Sequence, residues 1–151
     1  ERAMLWVMWS QSLDNMLDDA IAELNGTSHA DDDVVLDRLG RSIMDSHAIR
    51  LLGHRQLSKQ QRGLVPAEQS ILKLMGSEAQ QDLAAVVLET LGAAALDQTV
   101  DSTLRFPYEN DRGAVPWSDR YLFTFAGTIS GGTSEIQRNI VAERVLGLPR
   151  G

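Results

Sequence analysis

Leu13, Leu17, Ile21 and Leu24 recur at spacings of four and three, opposite Asp14, Asp18 and Asp19. That period belongs to a helix with one apolar stripe, because a strand repeats its faces every two residues. The helical period returns along the chain, and no convincing strand alternation interrupts it. The first helix is read from the chain start to about Asn25, where Asn25-Gly26-Thr27-Ser28 supplies turn chemistry.

Asp31-Asp32-Asp33 opens a second helix. Carboxylates there suit the positive end of the helix dipole, by a few tenths to about 1 kcal/mol each. Leu36, Leu39, Ile43 and Leu51 continue the stripe to about Gln61, and Arg62-Gly63 breaks it. Pro66 fits the first turn of a third helix, which carries Ile71, Leu74, Met75, Leu83, Val86, Val87 and Leu91. Gly76 and Gly92 weaken that helix by about 1 kcal/mol each relative to alanine.

Residues 98–116 hold Pro107, Pro116 and Asp111-Arg112-Gly113, which reads as a long loop of the kind found at functional sites or interfaces. Trp117 to about Ser130 is a fourth helix. Gly131-Gly132 is a break, and Thr133 or Ser134 caps a last helix with Ile136, Ile140 and Val145 on its apolar side. The expected fold is all-α: an up-and-down four-helix bundle plus a short C-terminal helix, one domain over residues 1–151.

Composition narrows the chemistry. The 151 residues include no cysteine, which excludes disulfides, thiolate metal sites and cysteine nucleophiles. A net charge of -7 argues against nucleic-acid or anionic-membrane binding, which need an excess of positive charge. No apolar run reaches the roughly 18 residues of a membrane span, and the opening residues lack the parts of a signal peptide. A cytoplasmic location is expected. The chain opens on Glu1 and enters an apolar segment at once, so it is expected to continue upstream.

Catalytic candidates are few. His47 and His54 lie seven residues apart, two turns along one helix and too far to share a metal, and His29 is separate. Glu68 and Glu78 read as solvated helix charges. The exception is Ser130-Gly131-Gly132-Thr133-Ser134. Read from its residues alone, it is first a tight helix–helix turn with an N-cap. It is also a place where glycines allow close approach and a helix N-terminus can hold an anion or a cofactor's polar edge.

At these residues the chain resembles a known family. GTISGGTSEIQRNIVAERVLGLPR, from Gly127 to Arg150, closely resembles the C-terminal signature of acyl-CoA dehydrogenases, and the upstream helices match that family's C-terminal helical domain in order and length. The resemblance covers essentially the whole chain. It implies FAD as cofactor, an acyl-CoA thioester as substrate and an electron-transfer flavoprotein as electron acceptor. It implies α,β-desaturation, in which a glutamate takes the α-proton and the β-hydrogen leaves as hydride to flavin. The family's N-terminal helical and middle β-domains are absent, so the chain alone is expected to be inert.

In many members the base sits just before the Gly-Thr of this signature, which here is Gly131. A second branch carries glycine or alanine there and places its glutamate on the first helix of the domain, immediately before an arginine. Glu1-Arg2, followed by Met4, Leu5 and Val7, resembles that pattern. The resemblance therefore assigns Glu1 as base and Arg2 to the CoA cleft. Gly131 and Gly132 would line the substrate, and Thr133, Ser134 and Glu135 would contact the flavin. No metal is expected.

Two departures stand out. Homotetrameric members bind the ADP half of a neighbour's FAD through an Arg-Lys-x-Phe-Gly loop after the first helix and a Gln-x-x-Gly-Gly-x-Gly segment after the third. Here the first is replaced by Asn25-Gly26-Thr27-Ser28-His29-Ala30, followed by three aspartates. The second reads Glu89-Thr90-Leu91-Gly92-Ala93-Ala94-Ala95. A carboxylate repels pyrophosphate, and alanine blocks close backbone approach. Keeping the residues of its own site while losing those that serve a neighbour fits one subunit of a heteromer, such as the α2β2 dehydrogenases of actinobacterial steroid catabolism. The alternative assembly is a homo-oligomer with weak flavin affinity. A non-catalytic subunit that holds an active partner is the competing class, and an acyl-CoA oxidase, whose chains are longer, is a third.

Overall fold

The structure, a computed structural model, describes residues 5–64, 69–96 and 115–150. Among them are five α-helices: α1 (Leu5–Leu24), α2 (Asp33–Gln61), α3 (Gln69–Leu91), α4 (Trp117–Ile129) and α5 (Ser134–Arg144). A 3-10 segment, Gly92–Leu96, continues from α3. No strand occurs among the described residues. The expected long loop lies outside them, except for Val115 and Pro116.

Successive helices run antiparallel. Eight residues join α1 to α2, too few to return the second helix to the start of the first. Arg38 near the start of α2 pairs with Glu89 near the end of α3, at 2.6 Å. Lys73 early in α3 bonds Thr128 at the end of α4. Asp19 late in α1 pairs with Arg120 early in α4, at 2.8 Å. This is the up-and-down bundle read from the sequence, with α3 at its centre, packed against α1, α2, α4 and α5.

The core joins Leu13, Leu17, Ala20 and Leu24 of α1, Val35, Leu39 and Ile49 of α2, and Leu72, Leu83 and Val87 of α3, with Trp117 closing one end. Each buried leucine or valine contributes about 1.5–3 kcal/mol relative to exposure. Of the three aspartates at the start of α2, Asp32 is the cap: its Oδ1 accepts from Val34 N at 2.8 Å and Val35 N at 3.4 Å.

The helix faces differ from expectation in α2. Its inner face is Val35, Leu39, Ser42, Ser46, Ile49, Gly53 and Gln56. Leu36, Ile43 and Leu51 are 49%, 41% and 70% exposed, so the stripe drawn through them is wrong except at Leu39. Small side chains make up part of that face, and Ser46 and Arg50 both bond the Asp14 carboxylate of α1. Ile21 of α1 and Ile136 and Val145 near α5 are likewise exposed. Gly92 does not interrupt α3; with φ +55° it begins the 3-10 segment after it.

Gly76 does lie inside α3, and its reason is tertiary. A Cβ there would stand 2.8 Å from Cγ of Trp9. The same indole reaches Gly127 of α4, where a Cβ would stand 3.4 Å from it. Two glycines on facing helices thus make the space that the Trp9 ring occupies.

Candidate functional site

The turn between α4 and α5 follows from its residues. Ser130 closes α4 in an extended conformation, its N–H donating to Ala126 O. Gly131 and Gly132 then take φ +67° and +102°, conformations that side chains disfavour. Thr133 is the N-cap of α5, and its hydroxyl oxygen accepts from Ile136 N at 3.4 Å. Of the two expected caps, Thr133 does the work.

This short stretch brings together five of the seven residues the sequence singled out: Gly131, Gly132, Thr133, Ser134 and Glu135. Glu1 and Arg2 lie outside the described residues. Gly131 is exposed, and a Cβ on it would meet nothing within 4 Å. Gly132 is crowded: a Cβ there would stand 2.7 Å from Gln137 Nε2.

Two further side chains hold the turn. Gln137, buried on α5, donates through Nε2 to Gly131 O at 2.8 Å. Lys73, from α3, donates through Nζ to Thr128 O at 3.1 Å and Gly132 O at 2.7 Å. Sequence reasoning missed both. The one signal for Lys73 is a charge inside the apolar run Ile71-Leu72-Lys73-Leu74-Met75; Gln137 carries none. Arg138 adds an ion pair to Glu78 of α3 at 2.6 Å, so Glu78 is a paired rather than a free helix charge.

The electrostatics are local. Partial burial pulls the Lys73 ammonium below its ordinary pKa, against the opposing pull of Glu78 and Glu135. Glu135 is held below the usual carboxylate range, first by its own backbone N–H, then by the Thr133 hydroxyl, with Arg138 and Lys73 adding to the effect. A carboxylate in the first turn also suits the positive end of the α5 dipole. Among the described residues no cluster of His, Asp and Glu could hold a metal. No helix among them is long and apolar enough to cross a membrane.

At the far end of the bundle, Glu89 is engaged by Arg38. The carboxylate that stands where the resemblance expects a glutamine is therefore tied to α2, and so is the cation near it.

The family model described as "Acyl-CoA dehydrogenase, C-terminal domain" matches residues 1–146. Acyl-CoA dehydrogenase IpdE1 of Mycolicibacterium smegmatis is 36% identical over 124 residues, 82% of this chain and 28% of the relative. Its namesake in Mycobacterium tuberculosis is 31% identical over 149 residues, 95% of this chain and 33% of the relative. The chain thus spans about a third of these relatives' length. Among solved structures, the ChsE4-ChsE5 complex from Mycobacterium tuberculosis superposes with a TM-score of 0.68 at 27% identity, over 94% of this chain and 37% of that one. The Tcur3481-Tcur3483 steroid ACAD gives 0.72 at 22% identity, over 92% and 35%, a likeness of fold. The chain belongs to the acyl-CoA dehydrogenase family, and residues 1–146 correspond to that family's C-terminal domain.

Proposed function

We propose that this chain is the C-terminal part of a cytoplasmic, FAD-dependent acyl-CoA dehydrogenase subunit that desaturates an acyl-CoA thioester, working in a heteromer with a paralogous partner. The observation that carries the reading is the Ser130–Glu135 turn: an open glycine, a second positive-φ glycine and a capped helix N-terminus in sequence. Such a turn fits the polar edge of a flavin, because free N–H groups and a positive dipole end face the approach. Bound FAD supplies the hydride acceptor, and an electron-transfer flavoprotein takes the electrons onward.

The chain's own residues do the rest. Glu1 accepts the α-proton, a task for which a carboxylate in a desolvated pocket has a suitably raised pKa. Arg2 lies toward the CoA cleft. Gly131 and Gly132 line the acyl thioester, and Gly131 carries no side chain that competes with Glu1 for space. Thr133, Ser134 and Glu135 contact the flavin.

The heteromer rests on the end of the bundle where α3 closes. Glu89 offsets the charge of Arg38, so this end offers a neighbour's pyrophosphate no unopposed cation there, and Asp31, Asp32 and Asp33 are exposed at the start of α2. The ChsE4-ChsE5 complex and the Tcur3481-Tcur3483 steroid ACAD each pair two chains, and the second is a steroid enzyme, which favours a heteromer and a steroid-linked acyl group. The test is the flavin content of the complete protein, purified alone and with a paralogous partner. One FAD per two chains, seen only with the partner, is expected; full FAD on the protein alone would return it to a homo-oligomer. Glu1→Gln should then abolish turnover with flavin retained. Undiminished turnover would remove Glu1 as base, and an active partner beside an inert wild-type chain would make this the non-catalytic subunit.

A further inference from the structure

Lys73 Nζ bridges two main-chain carbonyls, 3.1 Å from Thr128 O and 2.7 Å from Gly132 O. Thr128 stands in the last turn of α4, where carbonyls have no intrahelical partner. Gly132 stands in the turn that follows. One cation on α3 therefore ties down the end of one helix and the entry to the next. From the other side, Gln137 Nε2 takes Gly131 O at 2.8 Å.

These bonds fix more than the carbonyls. A trans peptide points its C=O and the following N–H in opposite directions, and no cis peptide occurs among the described residues. Drawing Gly131 O toward Gln137 sends the Gly132 N–H the other way. Drawing Gly132 O toward Lys73 does the same for the Thr133 N–H. The Thr133 N–H makes no backbone hydrogen bond among the described residues. Beside them the space at Gly131 is open.

We propose that Lys73 is a positioning residue for this turn: by holding the Thr128 and Gly132 carbonyls against α3, it sets the direction in which the Thr133 N–H meets the flavin. This rests on the FAD reading above. An ammonium suits the task, since it carries three donors and sits at the negative end of the α4 dipole. Its bonds are charge-assisted, and hence stronger than those of a neutral donor.

The test uses the complete enzyme with its partner. FAD affinity of the reconstituted apoenzyme, the position of the flavin visible absorption band, and kcat and KM separately are compared for wild type, K73M and K73R. K73M is expected to weaken FAD binding by about tenfold, the value of one well-placed donor, and to shift the flavin band. K73R should restore most of both. A folded K73M with wild-type affinity and spectrum overturns the proposal. Where K73M does not fold, K73Q, which loses the charge, is read in the same way: unchanged affinity and spectrum overturn the proposal and weakening supports it. A wild-type complex that takes up no FAD removes the functional reading and this proposal together, whereas FAD binding indifferent to Lys73 removes this one alone.

Discussion

Trp9 of α1 lies against Gly76 of α3 so closely that a Cβ on Gly76 would stand 2.8 Å from the indole. Gly127 of α4 meets the far edge of the same ring. The glycines therefore specify how near three helices come to one another. Gly76→Ala gains about 1 kcal/mol of helix propensity but forces the indole out of place, an overpacking cost of about 1–3 kcal/mol. A net loss of up to about 2 kcal/mol is expected in denaturant unfolding. Trp9→Phe in the same chain should recover part of it, because the two positions share one space. Strict additivity of the two changes would contradict this packing.

Arg120 is the second link between α1 and α4. Its guanidinium pairs with Asp19 at 2.8 Å, donates through Nε to Val115 O at 3.1 Å, and stacks 4.6 Å from the Trp117 ring centroid. Arg120→Met strands a half-buried carboxylate and is expected to cost about 2 kcal/mol or more, less than for a fully buried pair. Arg120→Lys keeps the charge but loses the planar fork and the stacking, so it should recover only part of that loss. Thermal melts of the three proteins decide it, and a lysine variant equal to wild type would show that charge alone matters.

Asp82 of α3 lies within electrostatic reach of Asp45 of α2, and burial raises both carboxyls above the ordinary 3.8. For Asp82, Glu78 and Asp45 raise it further and Arg38 opposes. A folded pKa above the unfolded one means the folded state holds more protons just above that value, so stability falls as pH rises through this window. Asp82→Asn should therefore stabilise the protein near neutral pH, by no more than about 0.5 kcal/mol because solvent screens the group. The gain should shrink as pH is lowered toward the unfolded pKa. Urea titrations at the two pH values test the sign, and a gain unchanged by pH would contradict it.

Gly131 and Gly132 are expected to respond unequally to alanine. Each has positive φ, which costs a side chain about 1 kcal/mol or more. Only at Gly132 would the new methyl also displace Gln137, whose Nε2 would lie 2.7 Å away. Gly131→Ala should keep the flavin with a small loss of stability. Gly132→Ala should lower both melting temperature and FAD content. Comparable FAD loss in the two variants would mean the Gln137 contact does not hold the turn.

The sequence by itself determined the helices and the turn; the helix starts read at the first residue and at Pro66 lie outside the described residues. Leucines at a helical period, the three aspartates that open α2, Gly63 after α2 and the Gly131-Gly132 pair are local signals, and each acts within a few residues. It also carried the family, because the Gly127–Arg150 stretch is contiguous. What only the tertiary structure decided is which face turns inward and who holds the turn. Leu51 looked like core and is exposed, whereas Ser46, which no apolar period marks, is buried with Asp14 of α1 as its hydrogen-bond partner. Gly76 looked like a flaw in α3 and is the seat of Trp9. Lys73 and Gly132 are 59 residues apart, and nothing in local periodicity reports a bond between a side chain and a distant carbonyl.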